Sequence, residues 1–82
     1  MFYVYLLKSI KDNGYYIGYS ADLKNRFIQH QNGLVESTKN RRPLILKYYE
    51  AYETESLARQ REKQLKNFGS SYNGLLKRLK FK

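Results

Sequence analysis

The sequence predicts an α+β fold: a small three-stranded antiparallel sheet flanked by helices, in the order β-β-α-β-α-α. Three features of the 82 residues point to it. Residues 2–8 and 15–19 are rich in aromatic and branched side chains, and the turn signal Asp12-Asn13-Gly14 lies between them. A third run of the same character spans residues 44–52. Around these runs, apolar residues recur at helical spacing behind capping residues.

Each element follows in turn. Residues 2–8 and 15–19 read as two strands of a hairpin, because Asn and Gly tolerate the positive φ that a tight turn needs. Ser20 or Asp22 can cap the first helix, with Leu23, Phe27, Ile28 and Gln31 on its inner face and Gly33 as its stop. Residues 34–43 form a polar, basic loop. Ile45, Leu46, Tyr48 and Tyr49 supply the third strand. Thr54 can cap a second helix whose inner face is Leu57, Ala58, the stem of Arg61, Leu65 and Phe68, with Gly69 ending it. Ser70 and Ser71 can cap a last, basic helix with Leu75, Leu76 and Leu79 inward. No internal repeat, low-complexity segment or linker interrupts the chain, so residues 1–82 are expected to form one domain.

Composition narrows the function classes. Sixteen basic residues against seven acidic give a formal charge of +9, a strong bias toward polyanions. Nucleic acid is the commonest such partner. Nine tyrosines and four phenylalanines add flat faces that can stack on bases, though most are expected to fill the sheet. With no cysteine, disulfides and thiolate metal sites are excluded. No stretch approaches the roughly 20 apolar residues of a membrane span, and the N-terminus lacks the apolar core of a signal peptide. A cytoplasmic location, a monomeric state, and no membrane or small-molecule cofactor are the matching expectations.

A few residues carry possible chemistry. Tyr5 and Tyr16 lie eleven residues apart, on neighbouring strands of the hairpin. A tyrosine has an ordinary pKa near 10, so a base role requires a nearby cation. Arg26 and His30 are four apart and share a helix face. A guanidinium forks onto two phosphate oxygens. Asp22 stands one turn before Arg26, so a surface ion pair worth under ~1 kcal/mol is the alternative. His30 can carry a proton near neutral pH, or can only orient a tyrosine hydroxyl. Glu62 lies among basic residues on the second helix. Lys66, four residues on, suits an ordinary helical ion pair.

The ordered set resembles the GIY-YIG nuclease family, and within it the small stand-alone bacterial proteins. The first motif reads Tyr3-Val4-Tyr5 and the second Tyr16-Ile17-Gly18. Asp22-Leu23, Arg26-Phe27 and His30 follow at matching positions. So do Ser37-Thr38-Lys39, Arg41-Arg42-Pro43, Tyr48-Tyr49-Glu50, and the run from Arg61 to Lys66. The resemblance implies the GIY-YIG fold and a metal-dependent endonuclease acting on DNA, with little sequence specificity. Single-stranded or structured DNA, in repair or processing, is the expected substrate. It assigns catalysis to Tyr5, Tyr16, Arg26 and His30, and a magnesium or manganese ion to Glu62. Gly18 and Asn73 would support the site. Nucleic-acid contact is expected from the loop residues Lys39, Arg41 and Arg42 and from Lys63 and Lys66. Lys77, Arg78, Lys80 and Lys82 are as well explained by a solvated helix face. A non-catalytic nucleic-acid-binding module on the same fold is the alternative function.

Overall fold

The computed structural model describes residues 1–80. It contains strand β1 (Phe2–Ser9), strand β2 (Tyr15–Ser20), helix α1 (Leu23–Gln31), a short 3-10 turn (Lys39–Arg41), strand β3 (Leu44–Tyr52), helix α2 (Glu55–Lys66) and helix α3 (Ser70–Arg78). The sheet is antiparallel, with β1 central in the order β2-β1-β3. This is the α+β architecture the sequence predicts; Lys82 lies outside the described residues.

The period of two in β1 divides the core. Val4 and Leu6 face α2 and α3, where they pack with Ile17, Ala58, Leu65, Leu75 and Leu76. Tyr5 and Leu7 face α1, with Leu44, Leu23, Phe27 and Leu46. A bulge between Leu6 and Leu7 shifts the β1–β3 register, so that Tyr5 lies opposite Tyr49 and Leu7 opposite Leu46. The hairpin turn uses Asn13 at φ 60°, and Arg41 clamps it through an ion pair of 2.8 Å to Asp12. That guanidinium, with the Gly14 amide, lowers the Asp12 pKa to about 2. On the other face Arg61 of α2 donates to both oxygens of Glu50 of β3, at 3.0 and 3.1 Å. The hydroxyls of Tyr48 and Tyr52 donate to the same carboxylate. Burial raises the Glu50 pKa, but Arg61 and the two phenols outweigh it and hold it below the ordinary value. This satisfied charge ties α2 to the sheet.

Several helix details differ from the sequence reading. Asp22 is the α1 cap, accepting from the Asn25 amide at 3.1 Å, while Ser20 caps only the loop before it. Ile28 is half-exposed and so are Leu57 and Phe68; the inner face of α2 reduces to Ala58, Leu65 and Arg61, which reaches Glu50. Helix α2 stops at Lys66, and Phe68, at φ 54°, makes the left-handed turn expected of Gly69. Gly69 instead precedes α3, which has no side-chain cap from Ser70 or Ser71. Gly33 (φ 74°) does end α1, and Thr54 does cap α2.

Candidate active site

The edge strand β2 is where α1 and α2, on opposite faces of the sheet, come closest around it. There a polar cleft of about 450 Å³ is lined by Tyr5, Tyr16, Tyr19, Ser20, Ala21, Arg26, Arg59, Glu62 and Lys66. Each element delivers its residue for a local reason. Tyr5 points to the α1 face because β1 alternates, and Gly18, opposite it on β2, leaves the space its ring fills. Arg26 sits one turn into α1. Glu62 lies on the face of α2 shared with Arg59 and Lys66.

Tyr5 is 1% exposed, and its hydroxyl is 2.8 Å from His30 Nε2. Burial pushes its pKa up to about 12, even though the Arg26 guanidinium beside it pulls the other way. Tyr5 is therefore a neutral phenol at physiological pH, a hydrogen-bonding group rather than a resident phenolate. Tyr16 is more open. Its ring meets His30 edge-on at 5.2 Å, Ser37 donates to its hydroxyl at 3.3 Å, and Lys66 Nζ stands 5.9 Å from its ring centre.

His30 has no exposed surface. It lies behind both tyrosines, placed to orient the Tyr5 hydroxyl. Its Nδ1 is 2.7 Å from the hydroxyl of Thr38, which is also fully buried. Both ring nitrogens are thus occupied, and burial followed by the Arg26 charge lowers its pKa to about 4. It meets the cleft through the Tyr5 hydroxyl and the Tyr16 ring. Its depressed pKa has a consequence for stability. The neutral ring must gain a proton on unfolding below its ordinary pKa of 6.5, so its contribution is complete above pH 6.5 and is lost as pH falls toward 4. The loss should be on the order of 3 kcal/mol. Urea unfolding between pH 4.5 and 7 checks this, since Glu50 and Asp12 act below that window. His30→Gln should flatten the slope; an unchanged slope would exclude His30 as its source.

Glu62 is the acid of the cleft. Its side chain is 14% exposed, with Arg59 Nη1 3.4 Å from one oxygen and Lys66 Nζ 3.1 Å from the other. Among the described residues no group of three or more His, Cys, Asp or Glu side chains comes together. The donors at hand are therefore all hard oxygens: one carboxylate, tyrosine hydroxyls and Ser20. That set fits a magnesium-like ion that keeps several waters and takes its other oxygens from a phosphate. Arg59 and Lys66 are themselves about half-exposed.

The structure thus brings Tyr5, Tyr16, Arg26, Glu62 and Lys66 to one cleft, with His30 and Gly18 packed directly behind. It does not bring the other expected residues there. Lys39 pairs with Glu36, Arg41 with Asp12, and Arg42 donates to the Lys39 carbonyl, so the loop cations stay outside the cleft lining. The loop meets the site residues through Ser37, on the Tyr16 hydroxyl, and Thr38, on His30. Lys63 is exposed away from the lining, and Asn73 lies on α3 outside it. Four lining residues were not among those expected: Tyr19, Ser20, Ala21 and Arg59. Arg59 was legible in its spacing, three residues before Glu62, and its guanidinium lies 3.8 Å from the Tyr19 ring centre. Tyr19 carried no distinguishing signal.

Comparison with known proteins agrees with the geometry. The family model described as the GIY-YIG catalytic domain matches residues 1–76. UPF0213 protein SSP2268 of Staphylococcus saprophyticus is 43% identical over 67 residues, 80% of each chain. UPF0213 protein SH2523 of Staphylococcus haemolyticus is 40% identical over the same length and coverage. The solution NMR structure of UPF0213 protein BH0048 from Bacillus halodurans superposes with a TM-score of 0.58 at 30% identity, covering 98% of this chain and 86% of that one.

Proposed function

This chain belongs to the GIY-YIG catalytic-domain family, a nuclease family, and to its UPF0213 group; from that premise we propose that its 82 residues work as one unit, a divalent-metal-dependent DNA endonuclease with little sequence specificity. The observation that carries the reading is the convergence of Tyr5, Tyr16, Arg26 and Glu62 on one cleft beside two further cations.

In this reading a phosphodiester enters the cleft with its oxygens toward Arg26, whose fork can take two of them. Arg59 and Lys66 add charge as the pentacovalent transition state forms. Water attacks phosphorus in line, and the P–O3′ bond breaks. Tyr16, the more open tyrosine, orients that water through its hydroxyl; the water's proton passes to solvent, and the departing 3′ oxygen takes one from solvent. Tyr5 stays neutral and, held by His30, fixes Tyr16 and the phosphate by packing and hydrogen bonding. Glu62 would hold a magnesium or manganese ion, which as a Lewis acid would steady the leaving 3′ oxygen.

Both Glu62 oxygens already carry cationic partners, and this favours the second reading, a nucleic-acid-binding module that does not cut. Labelled single-stranded and nicked DNA, incubated with and without manganese, separates the two. Metal-dependent cleavage is expected. Binding without product under every condition would leave the binding module standing. In either case, affinity should fall linearly with salt on a log–log scale, because phosphate contacts dominate it; a slope near zero would rule out both.

A further inference from the structure

Helix α1 separates the cleft from a second, apolar groove. The groove, about 660 Å³, is walled by Tyr3, Phe27, Ile28, Leu46 and Tyr49, and reaches the N-terminus of α1 at Asp22 and Lys24. Ala21 lines both the groove and the cleft, so the two are joined around the start of α1. Tyr49 is 53% exposed and Ile28 48%. Tyr49 also lies directly across from Tyr5 in the β1–β3 register.

We propose that this groove takes an unpaired nucleobase from the strand whose phosphate occupies the cleft. The inference rests on the cleft being a phosphate site. A base has apolar faces and polar edges. The groove offers aromatic rings, with Tyr3 and Tyr49 packed edge-on at 6.1 Å, and polar groups at its rim in the Asp22 carboxylate and the Lys24 ammonium. Charge selects among occupants. A chain of +9 repels a second copy of itself, whereas a polyanionic strand is drawn to the same surface. A base can enter only if it is unstacked and unpaired, so the groove would supply a preference for single strands or frayed ends that the cleft alone does not explain.

Oligonucleotides carrying 2-aminopurine at successive positions, bound to the Glu62→Gln protein so that nothing is cut, test this. One position should change its fluorescence sharply. Tyr49→Ala should abolish that change and weaken single-strand binding by about 5- to 150-fold, the range expected for one stacked base. Duplex binding should be unchanged, and Tyr49→Phe should behave like the parent. Ile28→Glu, which places a like charge in the path of the strand, should reproduce the loss if Tyr49→Ala fails to fold. Unchanged affinity in both variants, or no responsive position, would overturn the proposal. So would a dimer that either variant splits, which would assign the groove to a second copy. The two readings fail separately. DNA cleavage that is indifferent to Tyr49 and Ile28 leaves the nuclease standing without the groove. A responsive base with no cleavage by the wild-type protein leaves the groove without the nuclease.

Discussion

Glu62→Gln should lower metal-dependent cleavage by on the order of 10³-fold while leaving the fold intact. The amide keeps the side chain's size but loses the charge that a hard cation needs. Little stability is at stake, because the contacts to Arg59 and Lys66 are helix-surface ion pairs of 3.4 and 3.1 Å, worth under about 1 kcal/mol each. DNA affinity should hold or rise. Removing one negative charge frees Arg59 and Lys66 for phosphate and makes the cleft more positive. A variant that binds DNA at least as tightly as wild type yet does not cut it is the signature expected of a lost metal ligand. Cleavage at the wild-type rate would mean that Glu62 is only an ion-pair partner.

Gly18→Ala should damage both fold and site. Gly18 is buried on β2 opposite Tyr5. A Cβ built there would lie 2.6 Å from Tyr5 Cε2, and closer still to the ring's Cζ and hydroxyl. The ring cannot simply swing away. Its hydroxyl is held by His30, which Thr38 holds in turn, and all three side chains are buried. Overpacking of this kind destabilises by about 1–3 kcal/mol, lowering Tm by roughly 4–8 °C for each kcal/mol in a domain of this size. Cleavage should fall by about 10²-fold or more even below the new Tm, because displacing Tyr5 misplaces what it supports. Thermal unfolding and cleavage measured on the same preparation separate the two effects. A variant with wild-type Tm and wild-type rate would mean that the Tyr5 position is not critical.

What could be read in the sequence was local. The hairpin was written in Asp12-Asn13-Gly14, and Asn13 adopts the positive φ that the signal predicts. Thr54 and Gly33 marked helix ends by capping chemistry that acts over a few residues. Tyr5, Arg26 and Glu62 were marked by spacing and residue type, and the sheet brings them together. What could not be read was which edge of an apolar stripe meets a partner. Leu57 sits at helical spacing from the buried Leu65 and Ile28 next to the half-buried Phe27, yet short helices lying on a small sheet cover only the centre of the stripe. The burial of His30 could not be read, because it depends on two distant hydroxyls, Tyr5 and Thr38, that satisfy its nitrogens. The pairing of the basic loop could not be read for the same kind of reason. Arg41 is drawn to Asp12, twenty-nine residues away in sequence, and not to the cleft.

The most direct test is single-turnover cleavage of a labelled single strand by the wild-type protein and Glu62→Gln across a manganese titration, with strand binding measured alongside. The wild-type rate should start near zero and rise to saturation with manganese. The variant should stay at the metal-free baseline while binding the strand no more weakly. A wild-type rate independent of manganese, or a variant that cuts at the wild-type rate, would contradict the account.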